Sequence, residues 1–432
     1  MKLRYSGALA MTAMIAVACG TGGASPTPAG GTPTPAPVVT DAPSNPPSGI
    51  SEVSLGIELP LSGGEVANGV PTKNGVLLAI KQWNEMGHSY TVSDNTQDDA
   101  VDGVHNEAQG AANMATLVAD PLVVGVVGPF NSGVARAEIP VSNEAGLVQC
   151  SPSNTGTDLT KEGSEAYRFN QQDERNYIRV ATPDDIQGPA GAQYAYNDLG
   201  KRAALVIDDT EPFGVGVADT MSAEFTALGG TITAREGNDF DVNQSFTAIL
   251  TANAGNFDVV YFGGTQVTGG GQLRRDMGAA GMLDIPLVGP DGIADLVDFG
   301  GEGGFLTLAG QENGNNTFGT IAGIHDIPDP EAFRTAYSAE FGADPGAYSA
   351  LAYACAQVLL QAIDSNIGAA ADLAALREAV RTTIFAGDEW TTVLGTLHFD
   401  ENGDSSQKFI SFYKTTADGM GWEFDKQQDF GV

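Results

Sequence analysis

The sequence has few of the residue types on which most enzyme active sites depend. It contains four histidines and three cysteines, and neither set shows the spacing of metal ligands. A Gly-x-Ser-x-Gly elbow and a Walker sequence are also missing. The Gly-rich run at 263–272 lacks the G-x-G-x-x-G order and indicates a turn between a strand and a helix. We therefore expect a protein without catalysis, cofactor or bound metal ion.

Basic residues are scarce as well. Lys and Arg together number 20 against 54 Asp and Glu, which gives a formal net charge of -34. A surface of this sign repels nucleic acid and anionic lipid, so neither is expected as a partner. The excess of acidic side chains indicates a solubilising surface and identifies no partner by itself.

The apolar run at the N-terminus, residues 7–18, is shorter than the roughly 20 residues that a bilayer span needs. It follows the basic residues Lys2 and Arg4 and ends in small residues before Cys19, which is the layout of a secretory signal. The position of Cys19 resembles a bacterial lipobox, in which the cysteine is lipidated. The alternative is an ordinary signal peptide with a chance cysteine. Either interpretation places the working protein outside the cytoplasm.

Residues 20–50 consist almost entirely of Gly, Thr, Ser, Pro and Ala. Such a segment buries no core and is typical of an extended tether. We therefore expect residues 1–19 to be a lipoprotein signal peptide with its lipobox, and residues 20–50 to be a disordered tether. The membrane is then contacted through the lipid anchor alone.

The two cysteines of the remaining body, Cys150 and Cys355, lie far apart in the sequence. An exported protein permits a disulfide between them, and the sequence does not show whether they meet. Two buried free thiols are the interpretation that we favour.

The body alternates short apolar strands with amphipathic helices, which predicts parallel sheets covered on both faces. The series begins with a strand at 53–59 and a helix at 73–85, and a second series begins at 187–208. After residue 326 three helices follow, and the segments LGTLHFDENGD and KFISFYK then predict two strands joined by a turn. The predicted class is α/β with two Rossmann-like lobes. Ligands bind at the carboxyl ends of parallel strands, so the two lobes would form a cleft.

Polar clusters follow several predicted strands. In GPFNSG (128–133), Ser132 and its neighbours would place a hydroxyl and free backbone N–H groups at a helix N-terminus, which suits a carboxylate. The alternative is a Ser that caps the helix without a ligand. In SPSNTGTDLT (151–160), Ser153 and Thr155 offer further donors, or the segment is a plain polar turn. Asp291 in GPDG is placed to pair with a ligand ammonium, although Pro-Asp-Gly is also a favoured turn.

The order of these segments resembles a known family. PLSG, VVGPFNSGVA, SPSNTGTDLT, PDDIQGPA, FDVVYFGG, LVGPDG, PGAYSALAYA and GTLHFDENGD follow one another as in the leucine/isoleucine/valine-binding proteins. These are type I periplasmic binding proteins of branched-chain amino acid ABC transporters, and the resemblance covers about residues 51–425. It implies two lobes joined by a three-crossover hinge. The expected N-terminal lobe comprises 51–178 and 323–408, and the C-terminal lobe 179–322 and 409–432.

The resemblance also implies roles for single residues. Ser132 matches the family Ser that binds the ligand carboxylate, while Ser153 and Thr155 match the turn that holds the carboxylate and the amino group. Asp291 takes the place of a family acid, usually Glu, that pairs with the α-ammonium. Tyr348 matches a family Tyr at the start of its helix.

Other positions depart from the family pattern. Asn68 lies near the place of an aromatic residue that covers the ligand. Thr265 replaces a Tyr after the Gly-Gly of the second lobe, and Phe213 stands where a Tyr is common. The head-group site is thus retained while the side-chain pocket has changed, which leaves leucine, isoleucine and valine in doubt as ligands.

The function expected from these features is that of a monomeric solute-binding lipoprotein. It would close about a hinge on a small amino-acid-like ligand and deliver it to the permease subunits of an ABC transporter. The alternative is a receptor domain of the same fold that reports ligand binding to a signalling partner.

Overall fold

The computed structural model describes residues 49–168, 170 and 174–431. The predicted signal peptide, Cys19 and residues 20–48 of the predicted tether lie outside the described residues. None of the helices in the described part is long and apolar enough to cross a membrane.

Sixteen strands and eleven α-helices form the described body. The strands are β1 Glu52–Leu59, β2 Thr91–Asp98, β3 Ala100–Val101, β4 Val104–His105, β5 Val123–Val127, β6 Gln149–Ser151, β7 Tyr177–Arg179, β8 Ala203–Asp208, β9 Thr231–Gly237, β10 Val259–Gly263, β11 Leu287–Gly289, β12 Thr317–Ile321, β13 Trp390–Thr392, β14 Gly395–Leu397, β15 Phe409–Thr415 and β16 Trp422–Asp429. The α-helices are α1 Val66–Glu85, α2 Glu107–Ala119, α3 Ser132–Glu144, α4 Asp184–Gln193, α5 Pro212–Ala227, α6 Thr247–Asn253, α7 Gly271–Ala279, α8 Phe305–Ala309, α9 Pro330–Phe341, α10 Ser349–Ile367 and α11 Leu373–Ile384.

The first lobe is built on a parallel sheet with the strand order β2-β1-β5-β6-β7. Its central strand β5 reads VVGVV and is buried throughout, as a parallel strand covered by helices on both faces requires. The larger core cluster joins this sheet to α1 and α10, and a smaller one lies beneath α2. The carboxyl ends of β1, β5 and β6 therefore point to one common edge.

The second lobe is built on a seven-stranded sheet with the order β16-β15-β12-β11-β10-β8-β9. The strands β8 to β12 are parallel, and β15 and β16 add an antiparallel edge. Separate apolar clusters cover its two faces. The carboxyl ends of β8, β10 and β11 form the edge that faces the first lobe.

The chain passes between the two sheets three times. It leaves the first sheet after β7, returns after β12 to add α9, α10 and α11 to the first lobe, and leaves again between β14 and β15. The predicted fold class, two α/β lobes with a three-crossover hinge, is confirmed. The residue boundaries that we gave for the two lobes stay a prediction.

Several predicted elements differ from the observed ones. Helix α1 begins at Val66 rather than at residue 73, because Pro71 falls early in the helix and does not interrupt it. The two strands predicted in LGTLHFDENGD and KFISFYK are present, but they do not pair with each other. The strand β14 pairs with β13 in a small separate sheet, and β15 pairs with β12 and β16. The segment between β14 and β15 crosses from the first lobe to the second. Its Asp404 forms a buried ion pair with Arg179.

The favoured interpretation of two free thiols is also wrong. Cys150 on β6 and Cys355 on α10 form a disulfide with a Cα–Cα distance of 5.6 Å. Helix α10 packs on the sheet that contains β6, which brings together two residues separated by 205 positions. Nothing in the local sequence reports a contact of that range, so the pairing depended on tertiary structure.

Candidate functional site

A cavity lies between the edges of the two sheets. Both lobes contribute to its wall, and seven of the eight ligand-binding residues predicted from the sequence line it. These are Ser132, Ser153, Thr155, Phe213, Thr265, Asp291 and Tyr348. The structure therefore brings together residues from six separate segments of the chain.

Asn68 is the predicted site residue that does not line this cavity. It lies in the first turn of α1 and is buried there, with its backbone oxygen accepting a hydrogen bond from the Thr72 hydroxyl at 2.7 Å. The early start of α1 explains the difference, since a position expected in a loop over the ligand is part of a packed helix.

The N-terminus of α3 faces the cavity. Ser132 is the first residue of this helix, and its Oγ accepts from the backbone N–H groups of Thr155 at 3.3 Å and Gly156 at 3.1 Å. Because its lone pairs serve the turn, its hydroxyl hydrogen remains available for an acceptor. The first N–H groups of a helix lack intrahelical partners and carry partial positive charge. This end of the cavity is suited to an anion.

The preceding residue, Asn131, adds an unpaired polar atom. It is the N-cap of α3 without making a side-chain cap, it is buried, and its Oδ1 has no hydrogen-bond partner among the described residues. A buried polar atom normally has a partner. Asn131 lines the cavity, so a ligand is in position to supply one.

The turn at 153–156 is fixed by hydrogen bonds to neighbouring residues. The hydroxyl of Ser153 donates to the Phe130 oxygen at 2.8 Å, so its hydrogen is already used within the protein. Arg179 donates to the backbone oxygen of Gly156 at 2.7 Å and to the carboxylate of Asp404 at 2.7 Å. Both charged side chains are completely buried. Asp404, the last residue of the HFDENGD segment, thus fixes the side chain of Arg179, which shapes this part of the cavity.

Asp291 enters the cavity from the second lobe. One of its oxygens accepts a hydrogen bond from the hydroxyl of Tyr348 in the first lobe, and the other, Oδ1, has no partner among the described residues. Burial raises the pKa of Asp291 to about 6, and the Tyr348 hydroxyl works against that rise. At neutral pH the group is an ionised, half-satisfied carboxylate. It is suited to a cationic ligand group.

Asp184 is a second acid beside the cavity that the sequence analysis did not select. It is the first residue of α4, and its backbone N–H donates to the Thr155 oxygen at 2.8 Å. Burial and repulsion from Asp291 raise the pKa of Asp184 well above its usual range, which the Thr155 hydroxyl partly offsets. Asp184 lies in the segment PDDIQGPA, which contributed to the family resemblance. No role was expected there for its acidic residues.

A histidine joins the lobes at the other end of the cavity. His105 on β4 places Nδ1 2.8 Å from Glu65 of its own lobe and Nε2 2.9 Å from Glu211 of the second lobe. Ionised carboxylates only accept, so both ring nitrogens must carry hydrogen and the ring is an imidazolium. Burial opposes this charge, but the hydrogen bonds to Glu211 and Glu65 raise the pKa of His105 well above its usual range.

Replacing Glu211 by Gln is expected to weaken ligand binding by roughly two- to fivefold, because an ion pair with a partly exposed partner is worth about 0.2–1 kcal/mol. Glu65 stays paired with the ring, while burial raises the pKa of the nearby acids Asp99 and Asp209, so part of the ring's charge balance remains. The raised pKa keeps the contribution of His105 fully present below about pH 6.5, and it is lost as the pH rises through that raised pKa.

Calorimetry across a pH series tests this contribution. The difference between the parent and Glu211→Gln should be largest below about pH 6.5 and should shrink in high salt and as the pH rises through the raised pKa of His105. The exposed residue Glu236 offers a matched Glu→Gln control in the same lobe. A difference that grows with pH would contradict an imidazolium at position 105.

The two lobes also meet at the rim of the cavity. A Cβ atom on Gly303 of the second lobe would lie 2.3 Å from the Gly64 oxygen, and one on Gly64 would lie 2.6 Å from Val267. Gly303 has a φ of 73°, which glycine adopts without strain. The glycines permit the close approach of the two rims, and the described conformation is a closed one.

Comparisons with known proteins agree with this architecture. The sequence profile of the periplasmic binding protein family matches residues 52–418. The chain belongs to this family. The resemblance drawn from the order of the motifs is thereby confirmed.

Curated relatives of this periplasmic binding protein include the Leu/Ile/Val-binding protein BraC3 of Rhizobium johnstonii. It is 28% identical over 373 residues, which cover 85% of this chain and 92% of the relative. The Leu/Ile/Val-binding protein homolog 1 of Brucella abortus is 29% identical over 382 residues, covering 84% and 90%. The relatives are matched over nearly their whole length.

Solved structures show the same fold. LivJ of Streptococcus pneumoniae, a branched-chain amino acid transporter substrate-binding protein in complex with isoleucine, has a TM-score of 0.71 at 22% identity. The match covers 88% of this chain and 100% of that one. A solute-binding protein of an ABC transporter from R. palustris, in complex with 4-hydroxybenzoate, has a TM-score of 0.72 at 15% identity and covers 88% and 98%.

Proposed function

We propose that this periplasmic binding protein captures a small amino acid between its lobes and delivers it to the permease of an ABC transporter. In this proposal Cys19 carries a lipid anchor, residues 20–50 form the tether, and the protein works as a monomer. The relatives named above support transport as the role. The pairing of an anion-binding end with an unsatisfied carboxylate in one closed cavity supports an amino acid as the ligand.

The observation that carries the proposal is that the anion-binding end and the unsatisfied carboxylate come from different lobes. The α3 N-terminus and Ser132 come from the first lobe, and Asp291 comes from the second. A ligand with a carboxylate and an ammonium would satisfy both and stabilise the closed state by touching both lobes. In the described conformation Asp291 meets Tyr348 and Glu211 meets His105 across the two lobes.

Calorimetry with the proteinogenic L-amino acids tests the ligand class, with Ser132→Ala as the diagnostic variant. Loss of one charge-assisted hydrogen bond is expected to cost about 1.5–3 kcal/mol, or roughly tenfold or more in affinity. The exposed residue Ser365 on α10 provides a Ser→Ala control that should bind like the parent. Equal affinities in parent and Ser132→Ala would reduce Ser132 to a residue that orders the 155–156 turn.

An aromatic acid is the second candidate ligand. Three aromatic side chains, Phe130, Phe213 and Tyr348, line the cavity, and similar folds hold benzoate or 4-hydroxybenzoate. A benzoate would satisfy the α3 N-terminus but leave Asp291 without a cation. We therefore place it second, and including benzoates in the same calorimetric series separates the two ligand classes.

A further inference from the structure

Three carboxylates meet inside the first lobe, outside the ligand cavity. Glu58 lies near the end of β1, Asp99 follows β2, and Glu138 lies in α3. All three side chains are fully buried, and one oxygen of each lies within 4.8 Å of the others. The three residues lie far apart in the sequence, so no sequence motif predicted the cluster.

Their charge has no counterpart nearby. Among the ion pairs of the described residues, none joins a Lys or Arg to these three carboxylates. The electrostatic influence of His105 on Asp99 is the main positive one. Burial raises the pKa of Glu58 and raises those of Asp99 and Glu138 well above the usual range. Three buried negative charges require either protons or a cation.

The hydrogen bonds of the cluster point toward a cation. Asn113 donates to Glu58 Oε1 at 3.0 Å, and Gln149 donates to Glu138 Oε2 at 2.9 Å. Each glutamate thus uses one oxygen for an amide N–H, and its other oxygen has no hydrogen-bond partner outside the three acids among the described residues. Both oxygens of the fully buried Asp99 are unpartnered as well.

The amides are themselves fixed. Gln109 donates to Asn113 Oδ1 at 2.8 Å, and the Ser142 hydroxyl donates to Gln149 Oε1. Amide N–H donors favour the ionised form of a carboxylate. Metal-binding carboxylates are typically held in this way by an outer layer of hydrogen bonds.

We propose that Glu58, Asp99 and Glu138 form a binding site for a calcium ion. Oxygen ligands select a hard divalent cation, and the protein supplies the four carboxylate oxygens that no amide occupies: Glu58 Oε2, Glu138 Oε1 and both oxygens of Asp99. A fully buried site favours calcium over magnesium, which gives up its water reluctantly. The sequence analysis expected no metal ion, and the proposal reverses that expectation.

The site joins the elements that carry the ligand cavity. Glu138 lies in the helix that begins at Ser132, and Asp99 precedes the small β3–β4 hairpin that ends at His105. A cation held here would tie these elements to β1. The proposal is independent of the ligand class, and its failure leaves the proposed function untouched.

Equilibrium dialysis of the chelator-treated protein against calcium alone tests the site. The parent should take up one calcium ion per chain in a saturable step, and its melting temperature should rise with calcium. Glu138→Gln is expected to lower that affinity at least tenfold. Glu144→Gln is the matched control, because Glu144 lies exposed on the same helix. This control variant measures the diffuse binding of calcium to the acidic surface.

The outcomes are distinct. Saturable uptake in the parent and in Glu144→Gln, lost in Glu138→Gln, supports the site. If Glu138→Gln does not fold, Asp99→Asn replaces it with the same expected loss. A parent that binds no calcium beyond diffuse surface uptake, with a melting temperature that calcium leaves unchanged, overturns the proposal and assigns the cluster to shared protons.

Discussion

Replacing Asp291 by Asn is expected to weaken binding of an amino acid by about 3–5 kcal/mol, the cost of removing one partner from a buried ion pair. Asp291 is buried, and its Oδ1 is free to meet an ammonium. The substitution preserves size and turn propensity while it removes the charge. It therefore isolates the electrostatic contribution of this residue from its role in the loop after β11.

The comparison is made by calorimetry with an amino acid and its deaminated analogue on both proteins. The analogue should bind the variant as well as the parent, or better, because it has no ammonium to lose. Asp298→Asn is the control, since Asp298 lies exposed seven residues further along the same segment. Equal losses for both ligands, or none for either, would assign Asp291 to the turn alone.

The same residue sets a pH dependence. Because burial raises the pKa of Asp291 to about 6, the carboxylate is ionised above that pH and protonated below it. Affinity for ligands with an ammonium should therefore be retained at pH 7 to 8 and fall roughly tenfold per pH unit below about 6. In the Asp291→Asn variant this acid limb should disappear.

Removing the disulfide is the second change with a large expected effect. Cys150→Ala together with Cys355→Ala is expected to lower the free energy of unfolding by about 2–5 kcal/mol, since the bond restricts a very long loop in the unfolded chain. The loop spans 205 positions and includes every fully buried residue of the larger second-lobe core cluster. Alanine is chosen because both cysteines are completely buried and a hydroxyl there would lack a partner.

Urea unfolding with and without a thiol reductant measures this effect. The parent in reductant should unfold like the double variant, and reductant should leave the double variant unchanged. Ligand affinity under native conditions should stay within about twofold of the parent, because neither cysteine lines the cavity. Identical midpoints for oxidised parent and double variant would show that the bond contributes nothing to stability.

Much of the architecture was predictable because it rests on local pattern. Fully apolar runs such as VVGVV mark parallel strands buried on both faces, and their alternation with amphipathic helices leads to two α/β lobes. The first of the three helices expected after residue 326 is α9, which begins at Pro330 directly after a capping Asp329. The two strands predicted near the C-terminus are observed, but β15 pairs with β12 and β16 rather than with the strand before it.

The sequence by itself determined the polar segments that follow the strands, and so it identified Ser132, Thr155 and Asp291 as candidates for one cavity. Only the tertiary structure decided which distant residues join them. Asp184, the His105–Glu211 contact and the Cys150–Cys355 bond each unite segments that local spacing cannot relate. The physical reason is range: propensity and periodicity act over a few residues, whereas charge pairing and burial act between any residues that the fold brings into contact.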